Sequence, residues 1–247
     1  MTPDAPKRGQ RARAAAAEIP AEPPSAAAAA RAPRQERGQR RVDAILDAAA
    51  ALLVEEGAAG VTMHRVARRS CTTTGSMYHF FPDRETLLRA LGERHACGLR
   101  AVTTRIEQET AGQWARLSTA EAVDRFLGPF LTYIDEHPDL PAVSRLARAS
   151  GWAHERDAEL DRQVIRLAED VVASRCPDAT PAETTSRALA MTAMVEGVVG
   201  ASARPTDAAH AALSPAILRQ ELRRALVAYL DSYSARPRTT GRSRPTE

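Results

Sequence analysis

Residues 62–88 read TMHRVARRSCTTTGSMYHFFPDRETLL. Thr62 is placed to cap a short helix running to about Arg69, and Thr73 to start a second running to about His79, because a threonine hydroxyl accepts the otherwise unpaired N–H groups of a first turn. Upstream, Val42, Ile45, Leu46, Ala49, Leu52 and Leu53 follow the i, i+3, i+4, i+7 spacing of a longer helix that Gly57 can end. Two short helices joined by a tight turn and braced by a longer one make the helix-turn-helix plan. The second short helix begins with short polar side chains able to approach base edges, so Thr73, Thr74 and Ser76 are the candidates for base contacts. Arg65, Arg68, Arg69 and Arg84 flank them in positions suited to phosphates, and His64 and Arg65 lie where backbone contact is expected. Val66, Met77, Phe80 and Phe81 are expected in the core.

Pro82 and Asp83 open a long helix with Leu87, Leu88, Leu91, His95, Leu99, Val102 and Ile106 on one face. Further apolar faces run through Val123–Phe126–Leu127–Phe130–Leu131–Ile134, Leu140–Val143–Leu146, Leu160–Val164–Leu167–Val171, Leu189–Met191–Met194–Val195–Val198 and Leu218–Leu222–Leu226–Tyr229–Leu230. Pro138, Gly151, Pro177, Pro181, Pro205 and Pro215 separate them, and Gly128-Pro129 is expected to kink or split the fifth helix. No run of alternating β-branched residues occurs. The reading is an all-α chain of about nine helices.

The 247 residues carry a net charge of +3, unevenly distributed. Residues 1–41 hold nine basic and four acidic side chains, and residues 236–247 four and one, so the stretch between them is acidic, at −5. Basic arms on an acidic body point to a polyanion near one end. Residues 1–33 and 236–247 are poor in large apolar side chains and read as disordered basic tails. Residues 34–90 then form the helix-turn-helix domain and 91–235 a helical body. Arg37, Arg40 and Arg41 precede or open the first helix, within reach of phosphates or the minor groove.

Cys71, Cys97 and Cys176 make no paired or metal-binding pattern, which fits a reducing cytoplasm. No stretch approaches ~18 apolar residues, and Glu18, Pro20 and Pro23 interrupt the N-terminal alanines, so neither a membrane span nor a signal peptide is expected. His154-Glu155 lacks metal-ligand spacing, and no Ser/His/Asp constellation or Gly-rich phosphate loop is visible; no enzyme and no cofactor is expected.

The stretch 62–88 resembles the DNA-binding domain of the TetR family. Thr62, Val66-Ala67, Thr73, Gly75, Met77, Tyr78, Phe80, Phe81, Arg84 and Leu88 carry the likeness, and Arg41, Ile45, Leu46, Ala48, Ala49, Glu56 and Gly57 extend it upstream. One departure is the turn, Ser70-Cys71-Thr72 where the family usually has Ala-Gly-Val. A positive φ at Cys71 costs about 1 kcal/mol in a residue other than glycine. Cys71 is read as a small buried packing thiol rather than a redox sensor.

The resemblance implies phosphate-facing roles for Thr62, Tyr78, His79 and Arg84. It implies a small-molecule pocket within helices four to seven, for which His95, Trp114, Phe126, Phe130, Tyr133, Trp152 and Met191 are candidates, against a core-packing alternative for each. It also implies a homodimer built from the last two helices, at about 182–201 and 214–234, with Met194, Val195, Val198, Leu222, Leu226 and Tyr229 at the interface. The function it implies is a repressor released from a palindromic double-stranded DNA operator by a small-molecule effector. An activator or an effector-independent regulator on the same head is the alternative.

Overall fold

A computed structural model describes residues 26–110, 112–151, 156–202 and 215–234. These form nine α-helices and one 3-10 turn, with no strand among the described residues: α1 (Ala26–Gly60), α2 (Met63–Arg69), α3 (Thr74–Phe80), α4 (Arg84–Thr110), the 3-10 turn Trp114–Arg116, α5 (Thr119–Glu136), α6 (Leu140–Ser150), α7 (Arg156–Arg175), α8 (Pro181–Ser202) and α9 (Pro215–Ser234). No helix among the described residues is long and apolar enough to cross a membrane.

The chain divides between Arg40 and Arg41 into two units. Of the first, the N-terminal part of α1 is described. It starts at Ala26, so residues 26–33 are helical where composition predicts disorder. Alanine has the highest helix propensity, and residues 26–30 are all alanine. Residues 1–25 and 235–247 lie outside the described residues. Both cores, the α2–α3 head and the body cavity lie in the second unit; of the candidate site residues, Arg40 lies in the first.

A smaller core holds the head together. Ile45, Leu46, Ala49, Leu52 and Leu53 of α1 meet Val66, Ala67, Met77, Phe81, Leu87, Leu88 and Leu91, all buried. Gly57 ends the regular part of α1 at φ +69°, a left-handed conformation that glycine adopts without steric cost. The larger core belongs to the body, where Val102, Ile106, Phe126, Leu127, Leu167, Val171, Met191, Leu222, Leu226 and Leu230 are buried together.

Helix α5 does not split at Pro129. Its start is fixed by a capping box in which the Ser118 hydroxyl and Glu121 carboxylate satisfy each other's backbone N–H groups. On either side of Pro129, Asp124 and Asp135 each take two hydrogen bonds from α9: Arg223 donates to Asp124 at 2.7 Å and Arg219 to Asp135 at 2.6 Å. With Phe126 and Leu127 buried as well, packing and paired charges hold the helix across the one backbone hydrogen bond that proline removes.

Candidate functional site

The head's two short helices start as their threonines require. The Thr62 hydroxyl accepts from the Arg65 N–H at 3.4 Å, and the Thr73 hydroxyl accepts from the Ser76 N–H at 3.3 Å. The turn between them carries Cys71 at φ +51°, the positive φ that a non-glycine residue there must bear. Cys71 is exposed, which corrects the buried-thiol reading: a side chain at the apex of a two-helix turn has no third element to cover it. Thr72, beside it, is buried and donates its hydroxyl to the Ser70 carbonyl at 3.3 Å.

Helix α3 buries Met77, while Thr73, Thr74, Tyr78 and His79 are exposed and Ser76 is half-buried. Tyr78 keeps 51% of its surface open, unusual for a large aromatic residue. His79 leans edge-on against Phe80 with centroids 5.4 Å apart.

The arginines divide into two kinds. Arg69 grips Glu55 of α1 through two hydrogen bonds of 2.6 Å, which hold the Glu55 carboxyl below its usual range. Arg65 pairs with Glu56. Arg84 donates to the carbonyls of Val61 and Ala58, at 2.8 and 2.6 Å. These three brace the junction of α1, α2 and α4. Arg68 and Arg41 stand exposed. Arg40, in the first unit, is exposed and pairs with Glu36 at 3.4 Å.

The body contains a cavity of about 900 Å³ bounded by α4 through α8. Phe126 and Phe130 line it, together with Leu99, Ile134, Leu140, Ser144, Arg145, Arg148, Val164, Thr192 and Glu196. The other pocket candidates lie elsewhere. Trp114, the first residue of the 3-10 turn, is buried in the body core, its carbonyl accepting from Arg175, and Met191 is fully enclosed in the same core. Trp152 lies outside the described residues. His95 and Tyr133 belong to a polar cluster beside the cavity. There His95 Nε2 meets Asp139 Oδ2 at 2.8 Å, His95 Nδ1 meets the Tyr133 hydroxyl at 3.3 Å, and the Tyr133 ring stacks on His137 with centroids 4.0 Å apart. Sequence reasoning does not find Asp139, at the start of α6; a buried carboxylate is recognisable only by its partner, and His95 is 44 positions away.

The candidate interface residues also divide. Leu222 and Leu226 are buried within the chain, in its own core. Met194, Val195, Val198 and Tyr229 are half-buried against that core, and Val195 lines the cavity. Tyr229 packs edge-on to Tyr233 at 5.3 Å; burial and the Tyr233 hydrogen bond push its hydroxyl up to about 12. On α8, Leu189, 47% exposed, and Ala193 also line the cavity, while Gly197 of α8 and Ile217, Ala225 and Ala228 of α9 are exposed away from it, Ile217 at 55%.

Comparison with known proteins adds two family matches. The model for bacterial regulatory proteins of the tetR family matches residues 45–91, and that for the tetracyclin repressor-like C-terminal domain matches residues 118–230. No curated protein matches the sequence. Among solved structures, a TetR-family transcriptional regulator from a Rhodococcus species is 22% identical, covering 79% of this chain and 100% of its own, with a TM-score of 0.55. One from Mesorhizobium loti MAFF303099 is 19% identical, covering 79% and 98%, at 0.54. A TetR transcription regulator from Haloarcula marismortui ATCC 43049 is 16% identical, covering 78% and 98%, at 0.56. At these identities the structures attest the fold; the two family matches, one over the head and one over the body, identify the chain as a member of the TetR family of DNA-binding transcriptional regulators.

Proposed function

We propose that the protein is a homodimeric repressor that holds a near-palindromic operator through α3 and releases it when a small molecule enters the body cavity. The observation that carries the reading is the two-sidedness of α3. Met77 anchors it in the head core while Thr73, Thr74 and Tyr78 face outward from a seven-residue helix short enough to enter the major groove. In this reading Thr74 and Ser76 meet base edges, and Thr62, Tyr78, His79, Arg41 and Arg68 meet the backbone.

The dimer seam is assigned to the exposed faces of α8 and α9 around Gly197, Ile217, Ala225 and Ala228, where the small glycine and alanine side chains permit close helix approach. Helix α6 is the element through which an effector acts. Its Ser144, Arg145 and Arg148 line the cavity, while Val143 is buried in the head core. A ligand that displaces α6 therefore changes head packing, with a coupling of about 1–3 kcal/mol. The cavity weighs against an effector-independent DNA binder.

Selection from a randomised duplex library tests the core of this reading. The enriched sites are expected to be near-palindromes with half-sites ~34–36 Å apart. Enrichment of no sequence over bulk DNA would overturn it.

A further inference from the structure

The charges around the cavity narrow the class of molecule it takes. The walls are apolar, with Leu99, Phe130 and Val164 on three different helices, and four charged side chains border them: Arg145, Arg148, Asp161 and Glu196. At the cavity's open edge Arg148 pairs with Glu196 at 4.0 Å, both side chains exposed. Asp161 is itself engaged in an interaction. Arg145, one turn before Arg148 on α6, has no acidic partner among the described residues. With Arg148 paired and Asp161 engaged, the Arg145 guanidinium, exposed at the rim, is left facing a largely apolar interior.

We propose that the cavity binds amphipathic monoanions, an apolar body with one carboxylate, and that Arg145 receives the carboxylate. A guanidinium presents a fixed fork of N–H donors that matches the two oxygens of a carboxylate. A neutral apolar ligand would leave the exposed Arg145 to solvent and gain nothing from it. A cation would find Glu196 already facing Arg148. The volume of about 900 Å³ suits a small molecule rather than a peptide or protein segment. This inference rests on the effector-site reading and specifies its ligand.

Calorimetric titration of the full chain with dodecanoate, dodecanol and dodecyltrimethylammonium, each below its micelle concentration, tests it. Dodecanoate is expected to bind at least about tenfold more tightly than either of the others, the worth of one charge-assisted contact. Arg145→Gln is expected to erase that preference. Glu196→Gln, which releases Arg148, is expected to strengthen dodecanoate binding. Val164→Trp, or Ser144→Trp as a second filling variant, is expected to abolish it. Equal affinity for dodecanol, a preference for the ammonium, binding that survives both filling variants, or no binding of any probe overturns the proposal. Operator affinity is measured separately: dodecanoate bound in the cavity with operator binding unchanged supports the ligand class and counts against effector release alone.

Discussion

His95 and Asp139 meet at 2.8 Å with both side chains withdrawn from water, and this contact fastens the middle of α4 to the start of α6. The preceding residue on α4, Arg94, reaches Asp47 of α1 at 2.5 Å. Consecutive positions on one helix thus tie the head's first helix and the cavity's α6 to the same point. Helix α4 itself runs from the head core at Leu87 to the body core at Ile106.

The contact makes acid stability depend on Asp139. Burial pushes its carboxyl up, but the hydrogen bond from His95 and the attraction of His95 and Arg94 outweigh burial and hold it below its usual value. A depressed carboxyl contributes stability above its unfolded pKa, and that contribution is lost as pH falls through the folded one. Urea midpoints measured between about pH 5 and about pH 3 should therefore fall more steeply in the wild type than in Asp139→Asn. Parallel curves would show that the pair does not carry the acid sensitivity.

Gly98 sets the position of Tyr133. A Cβ at residue 98 would overlap the Tyr133 ring and hydroxyl, and Tyr133 is confined by its stack on His137. Gly98→Ala should destabilise the chain by about 1–3 kcal/mol in denaturant titrations, the usual effect of overpacking. Tyr133→Phe in the same background should recover part of that loss, because the oxygen is among the clashing atoms.

Local signals are legible in the sequence and distant partnerships are not. Thr62, Thr73 and Gly57 act within three or four residues of their own positions, so spacing alone places α2, α3 and the end of the regular part of α1, but not its start at Ala26. The 3.6-residue period also finds Leu222 and Leu226, but an apolar stripe does not say whether its cover comes from the same chain or another. The body core supplies it, and the outward face is the one rich in alanine and glycine. Met191 and Trp114 lie in the core and not in the cavity lining for a related reason: side-chain type suits a cavity wall and a core equally, and only the packing of the helices separates them.

That distinction gives a test of the dimer. Ala228→Glu and Ile217→Glu place charges on the exposed face of α9 and should yield folded monomers. Leu226→Glu buries a charge and should unfold the chain. Sedimentation and circular dichroism together separate these outcomes. A dimer unaffected by both surface variants would move the seam elsewhere.

On α3, two substitutions should act differently. Tyr78→Phe removes an exposed hydroxyl assigned to a phosphate, and should weaken all sequences alike by about 1 kcal/mol or less. Thr74→Ala should relax preference at one symmetric pair of operator positions by about 1–3 kcal/mol. Binding of both variants to the randomised library reads the difference. A reshaped sequence preference from Tyr78→Phe, with only a uniform loss from Thr74→Ala, would exchange the two faces of the helix.

Arg84 and Arg68 supply the last contrast. The family resemblance implies a phosphate for Arg84, yet its guanidinium donates to the carbonyls of Val61 and Ala58, just past the break in α1 at Gly57. The Ala58 carbonyl already accepts from the Val61 N–H at 3.3 Å, and the charged donor of Arg84 adds a stronger bond to it and one to the Val61 carbonyl. Arg84→Met should therefore lower stability by about 1–3 kcal/mol and leave the salt dependence of operator binding unchanged. Arg68 is exposed on α2 with no acidic partner among the described residues. Arg68→Met should leave stability unchanged and reduce the slope of log affinity against log salt by about 0.9 for each phosphate that Arg68 neutralises. Each measurement uses the same titration at a series of salt concentrations, beside a denaturation curve. If Arg84→Met flattens the salt slope while the denaturation curve stays in place, the guanidinium leaves the two carbonyls for the DNA when the head binds, and the brace between α4 and the end of α1 belongs to the free protein alone.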